Sequence, residues 1–248
     1  MSGTLTTTEA VIWHEVECGG YADDLDLWAE LAERHGGAAL DLGCGTGRVA
    51  LRLSARGCEV WALDSDPRLI AELEERAAGR RLRLTALVGD CREFALDRRF
   101  DLVIAPMQLV QLLGGAGGRT ALLDRVRTHL AEGGLFAAAV IEGVPAAALA
   151  DDDAALPDVR EVGGTVYSSL PLGAGLSGGT LEVHRLRQVV SPAGDMRKHV
   201  HRDRLDVLDA AALEAEAVSC GLRPAGRREI PAGDAHVGST VVLLERGG

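Results

Sequence analysis

The sequence predicts an α/β fold with a doubly wound, largely parallel sheet, and three observations predict it. Apolar runs of strand length alternate with amphipathic helical stretches from Ala38 to Ile141. The first run breaks into the glycine-rich turn Gly43-Cys44-Gly45-Thr46-Gly47. The residues that close the successive runs (Asp41 to Gly47, Asp64, Asp90, Ala105 and Glu142) all fall at carboxyl ends, the edge where open sheets of this kind hold ligands.

Taken in order, Tyr21–Arg34 carries Leu25, Trp28, Leu31 and Ala32 at helical spacing and predicts a helix leading into the strand Ala38–Leu42. The glycine turn leaves as the helix Arg48–Arg56. Glu59–Leu63 is a second strand ending in Asp64, and Ser65-Asp66-Pro67 supplies a cap and an N1 proline for the helix Pro67–Ala78. Leu82–Val88 and Phe100–Ala105 are strands three and four. Gly114–Gly118 predicts a flexible turn before the helix Arg119–Leu130, which Glu132-Gly133-Gly134 stops, and Leu135–Ile141 is strand five. From Pro145 the pattern changes. An acidic, Ala-rich connection, Ala146–Asp158, precedes three runs, Val159–Leu170, Thr180–Ser191 and Met196–Leu208, which predict an antiparallel meander. The helix Asp209–Cys220 and two strands, Leu222–Ile230 and His236–Glu245, close the chain.

Composition bounds the function. The 248 residues suit one α/β domain with an insertion, and the 47 % hydrophobic share is that of a globular protein. No apolar window approaches the ~20 residues of a membrane span, and Met1–Thr8 has neither a basic nor an apolar leader pattern, which predicts a cytoplasmic chain away from membranes. A net charge of −11, with Lys198 the only lysine and the arginines interleaved with acids, disfavours nucleic acid as a partner. Cys18, Cys44, Cys58, Cys91 and Cys220 are scattered without metal-ligand spacing, and Asp151-Asp152-Asp153 lacks a glycine-spaced ligand loop. No metal is expected.

The glycine turn reads as a cradle for a nucleotide-type cofactor, and its spacing decides which. A dinucleotide site uses G-x-G-x-x-G, whose third glycine allows close helix–strand packing; here the run is G-x-G-x-G and Arg48 stands at that third position. The string Asp41-Leu42-Gly43-Cys44-Gly45-Thr46-Gly47-Arg48, with Asp64 ending the next strand, resembles the class I S-adenosylmethionine-dependent methyltransferases of the small-molecule type. The resemblance is strong from Tyr21 to Ile141 and extends to the C-terminal part in topology alone. It implies a Rossmann-like, seven-stranded doubly wound sheet with an antiparallel β-meander inserted after the fifth strand. The whole chain, 1–248, is then one domain, with 1–36 a helical cover and 145–206 a meander lid that roofs the acceptor or makes a homodimer contact.

The resemblance also implies roles. Asp64 would take the ribose diol, with Ser65 beside it, Asp90 would meet the adenine amine, and the Cys91 amide would face the ring. Backbone at Gly43, Cys44, Gly45 and Ala105 would meet the methionyl end, Asp41 would orient the loop, and Tyr21 would fold over that end or be an ordinary half-buried tyrosine. S-adenosylmethionine would leave as S-adenosylhomocysteine after methyl transfer to oxygen or nitrogen of a small molecule. Methyltransferases of exocyclic base amines carry Asp/Asn-Pro-Pro-aromatic where this chain has Ala105-Pro106-Met107-Gln108. A base is optional in this chemistry; the candidates are His199 and His201, which share one face of a strand, Glu142 and His14. Gln108 and Gln111 follow the fourth strand where acceptor contacts would be useful, and His14 could serve there too. Two rivals stay open: a non-catalytic S-adenosylmethionine-binding or regulatory protein, and an NAD-type enzyme on the same sheet.

Overall fold

A computed structural model describes residues 9–142, 156–233 and 237–247. Two helices, α1 (Glu9–Glu17) and α2 (Leu25–His35), lead into an alternation of β1 (Ala38–Leu42), α3 (Arg48–Ala55), β2 (Glu59–Asp64), α4 (Pro67–Gly79), β3 (Leu84–Val88), β4 (Phe100–Ala105), α5 (Ala116–His129) and β5 (Leu130–Val140). Strands β6 (Asp158–Val162), β7 (Thr165–Ser177), β8 (Thr180–Val190) and β9 (Met196–Asp206) follow, then α6 (Ala210–Ser219), β10 (Leu222–Ile230) and β11 (Ser239–Arg246). The main sheet runs β3-β2-β1-β4-β5-β11-β10. β1 pairs in parallel with β2 and β4, and β11 is antiparallel to both β5 and β10. This is the seven-stranded Rossmann-like sheet, and β6-β7-β8-β9 is the antiparallel insertion after its fifth strand.

Every residue of β1 is buried, as expected of a central strand covered on both faces. One face packs Leu40, Leu42, Phe100 and Phe136 against α5 and α6; the other packs Trp28, Leu53 and Leu73 of α2, α3 and α4 against Ala39, Leu102 and Ile104. A third, smaller cluster joins Ile12, Trp13 and Val16 of α1 to Tyr167 and Val189 of the second sheet. α1 therefore packs on the second sheet. Among the described residues no helix is long and apolar enough to cross a membrane.

Several boundaries differ from the sequence expectation. Helix α2 starts at Leu25 rather than Tyr21, because the Asp24 carboxylate is occupied by Trp28 and Arg48 and the preceding chain turns instead of coiling. Helix α5 begins at Ala116, inside the expected flexible turn, and ends at His129, before Gly133-Gly134. Those glycines lie within β5, where Phe100 pairs with Leu130 but Leu102 with Leu135, so they fill a bulge rather than stop a helix. The expected run Val159–Leu170 is two strands. Gly163 and Gly164 both take positive φ (56° and 79°) and form a two-residue hairpin turn, making the meander four-stranded rather than three-stranded. Most of Ala146–Asp158, with Asp151–Asp153, lies outside the described residues, as do Met1–Thr8 and His236.

Candidate active site

At the carboxyl edge of the main sheet a cavity of about 410 Å³ opens, within the range of small-molecule sites. Its floor is the turn between β1 and α3. Gly43 and Gly45 sit at φ 63° and 55°, the left-handed region, and a Cβ on Gly45 would stand 2.2 Å from His14 Nε2. The turn is clamped by the next strand. Asp64 Oδ2 accepts the Gly45 N–H at 2.9 Å, Oδ1 accepts the Asp66 N–H at 2.9 Å, and the Cys44 N–H donates to the Leu63 carbonyl. Asp64 is only partly buried, so each oxygen keeps a lone pair for a ligand.

Asp41, expected to orient the glycine turn, does not bond to it. Its side chain is 1 % exposed, it lines the cavity, and neither carboxylate oxygen has a hydrogen-bond partner among the described residues. Burial pushes its pKa up to about 7, and the Arg48 charge and the nearby Ala50 amide pull it back only in part. The loop-holding contact expected of Asp41 is made by Asp64 instead, and Asp41 is left over.

Arg48 opens α3 with its guanidinium directed at the N-terminal segment. It forks the carboxylate of Asp24, donates to the Tyr21 carbonyl at 3.2 Å and lies 5.0 Å over the Tyr21 ring. Asp24 also accepts the Trp28 Nε1–H at 2.8 Å. The arginine that replaces a third glycine is thus a strut that seats Tyr21 beside the site. Tyr21 lines a second cavity of about 70 Å³ with Glu17, Asp24 and Ser239; Met107 and Gln108 line both cavities. Met107 takes φ 55°, strained for a non-glycine residue, at the turn where β4 meets the site.

Asp90 and Cys91 line the far end of the main cavity. Hydrogen bonds from Arg92 hold the Asp90 carboxyl below its ordinary range, against a smaller opposing effect of burial. Burial pushes the Cys91 and Cys18 thiols up to about 11 each, and that of Cys44 further still, so all three thiols on the cavity wall are neutral.

Helix α1 forms the near wall through His14 and Cys18 and is pinned by two acids. Glu15 accepts from Thr46 Oγ1, Arg76 and Arg160; Glu17 accepts from Ser169 and Arg187 and is ion-paired with Arg185 at 3.6 Å. Burial raises both carboxyls, but the hydrogen bonds outweigh it and hold Glu15 and Glu17 below the usual carboxylate range. One turn of helix thus ties the glycine turn to the meander.

Of the remaining expected residues, His199, His201, Glu142 and Gln111 line neither of the two cavities. His199 is exposed on β9 with its ring 6.2 Å from Trp13, and His201 Nε2 contacts Asp203 at 3.2 Å; neither lines either of the two cavities described. Glu142 accepts the Ala210 N–H and the Thr240 hydroxyl, joining α6 to β11. Gln111 is buried and spends its amide on Ile141 N–H and on the Ile141 and Asp206 carbonyls. Ala105 is fully buried beneath the cavity, while Ser65, Gln108 and His14 line it. Sequence reasoning missed Met107, Glu17 and Asp24 as cavity residues. Only Asp24, four residues before Trp28, left a local signal.

Residues 39–134 match a family described as "Methyltransferase domain". Among curated relatives, hemagglutinin 1 of Eikenella corrodens is 35 % identical over 95 residues (38 % of this chain, 31 % of that protein). The cypemycin N-terminal methyltransferase of Streptomyces sp is 33 % identical over 99 residues, 40 % of each chain. These matches span less than half the length of either relative. The solved sugar N-methyltransferase KedS8 from Streptoalloteichus sp superposes with a TM-score of 0.75 at 19 % identity, over 99 % of this chain and 96 % of that one.

Proposed function

We propose that this chain, whose residues 39–134 match a methyltransferase-domain family, is a class I enzyme that transfers the methyl group of S-adenosylmethionine to oxygen or nitrogen of a small molecule. The observation that carries the reading is Asp64, fixed by two backbone N–H groups at the mouth of a cavity floored by the glycine turn.

The residues present fit the cofactor. Asp64 is a preorganised acceptor for a diol, Asp90 and Cys91 bound the space beyond it, and Gly43 and Cys44 bring the turn to the cavity wall. Asp41 offers the cavity a buried carboxylate without a partner. Bound S-adenosylmethionine supplies an already activated methyl on a sulfonium, open to SN2 displacement. The protein's task is then alignment, which contributes roughly 7–11 kcal/mol in favourable cases. Met107 and Gln108, shared by both cavities, hold the acceptor against the cofactor space, and Tyr21 and Glu17 bound its far side. With His199, His201 and Glu142 away from both cavities, His14 is the base candidate that lines the site. The net charge of −11 supports a small-molecule acceptor rather than nucleic acid. We read the chain as a cytoplasmic single domain whose meander supplies the acceptor roof, with its outer face available for a homodimer contact.

Incubating the protein with S-adenosylmethionine and a panel of small amines, phenols and alcohols, and measuring S-adenosylhomocysteine, tests the reading. Turnover with at least one acceptor, reduced by Gln108→Ala, is expected. Tight cofactor binding with no turnover across the panel would favour the non-catalytic binding protein.

A further inference from the structure

Among the described residues, Asp41 is the one buried acid of the cavity that no residue answers. Asp24, equally buried, is bonded to Arg48 and Trp28, and Glu15 and Glu17 each hold several donors. Asp41 has none, although it faces the same space. An ionised carboxylate taken out of water without a partner is costly, and such a group keeps its proton until a positive charge arrives.

The surroundings offer no such charge from within. Among the described residues, Arg48 on α3 is the cation that acts on Asp41, and its guanidinium is committed to Asp24; Arg92, which lines the same cavity, is committed to Asp90. Asp24 before α2 and Asp64 on β2 repel a second anion, and the Ala50 amide in α3 offsets little of this. From the turn, Cys44 adds a neutral thiol, and from α1 His14 and Cys18 face the cavity. The acid and its surroundings form a site tuned for an incoming cation.

We infer that Asp41 is a charge-reading group of the cradle: protonated before ligand binds, it releases its proton to solvent as the positively charged end of the cofactor enters. The inference rests on the cofactor proposed above. The protonation balance is simple: a neutral carboxylic acid and a ligand of net charge +1 become a carboxylate–cation pair plus one proton in solution. Cofactor affinity is thereby coupled to pH, and a neutral adenosine derivative is held less tightly than the charged cofactor.

Calorimetric titration of the full chain in buffers of different protonation enthalpy tests this without reference to turnover. S-adenosylmethionine should release close to one proton at pH 6, falling to about a quarter at pH 7.5, and its affinity should rise several-fold between them. Asp41→Asn, which keeps the shape without the charge, should release none and bind with an affinity that no longer changes with pH. A neutral probe lacking both the sulfonium and the amino-acid group, 5′-methylthioadenosine, should release none from the wild type. This arm stands even if the variant fails to fold. Absence of proton release at pH 6, the same release from Asp41→Asn (which would assign it to another group), or equal release with the neutral probe would each overturn the inference. No binding of S-adenosylmethionine at any pH would overturn the cofactor reading, and this inference with it.

Discussion

Asp41 and Asp64 end neighbouring strands, yet the structure gives them opposite environments. Asp64 is bonded and partly exposed, whereas Asp41 is buried and unbonded. A raised folded pKa means that the contribution of Asp41 to stability is full below its unfolded value near 4 and is lost as pH rises toward about 7. Ligand-free protein should therefore lose stability from this residue between pH 4 and 7, by about 4 kcal/mol from three pH units at ~1.36 kcal/mol each. Denaturant unfolding at pH 8 should show Asp41→Asn more stable than wild type, with the gap closing at pH 4; a gap unchanged by pH would contradict the assignment. Both acids stand out in the sequence beside the glycines. What the sequence does not reveal is which of them bonds to the loop, because that depends on the depth at which β2 ends relative to β1.

At the scale of elements, α1 couples the cofactor cradle to the meander. Glu15 reaches Thr46 and Arg76 on one side, and Glu17 reaches Ser169, Arg185 and Arg187 on the other. Replacing Glu17 by Ala removes an acceptor from two partly buried arginines, a change worth about 3 kcal/mol. Native-state hydrogen exchange should then show α1 amides exchanging roughly 100-fold faster, while those of β1 and β4 are unchanged; equal acceleration everywhere would make α1 part of the global core. The strands and helices up to β4 were legible because each carries its own period and caps, as with Asp66 accepting from Arg68 N–H at the start of α4. Gly133-Gly134, expected to stop a helix, and Gly163-Gly164, inside an expected single strand, differ from expectation for a shared reason. Glycine marks a backbone departure without saying which, and pairing of Leu130 with Phe100 and of Val162 with Thr165 decided between helix stop, bulge and hairpin.

For the whole molecule, the insertion and the sheet are joined where β9 ends. Arg119, almost fully buried on α5, bonds Asp206 at 2.7 Å and forks Glu216 of α6, while Gly115 N–H also donates to Asp206. Arg119→Met should cost about 3 kcal/mol, since it leaves two acids with reduced compensation, and thermal unfolding should show the loss as a lower midpoint. An unchanged midpoint would place the tie between insertion and sheet elsewhere. The alternation of elements, the glycine cradle and the edge it occupies were readable from order and spacing, whereas the seven-stranded topology came with the family resemblance. The acceptor side was not, since Met107, Gln108, Glu17 and Tyr21 come together from segments far apart in sequence. The central claim is that the cradle is built for a sulfur-containing adenosine cofactor gripped by Asp64. Titrating wild type and Asp64→Ala with S-adenosylmethionine, S-adenosylhomocysteine and NAD tests it most directly. The account predicts that wild type binds the two sulfur compounds and not NAD, and that Asp64→Ala weakens them by roughly 100-fold, the loss of about 3 kcal/mol of charge-assisted hydrogen bonding. Binding of NAD in preference to both, or unchanged affinity in the variant, would contradict it.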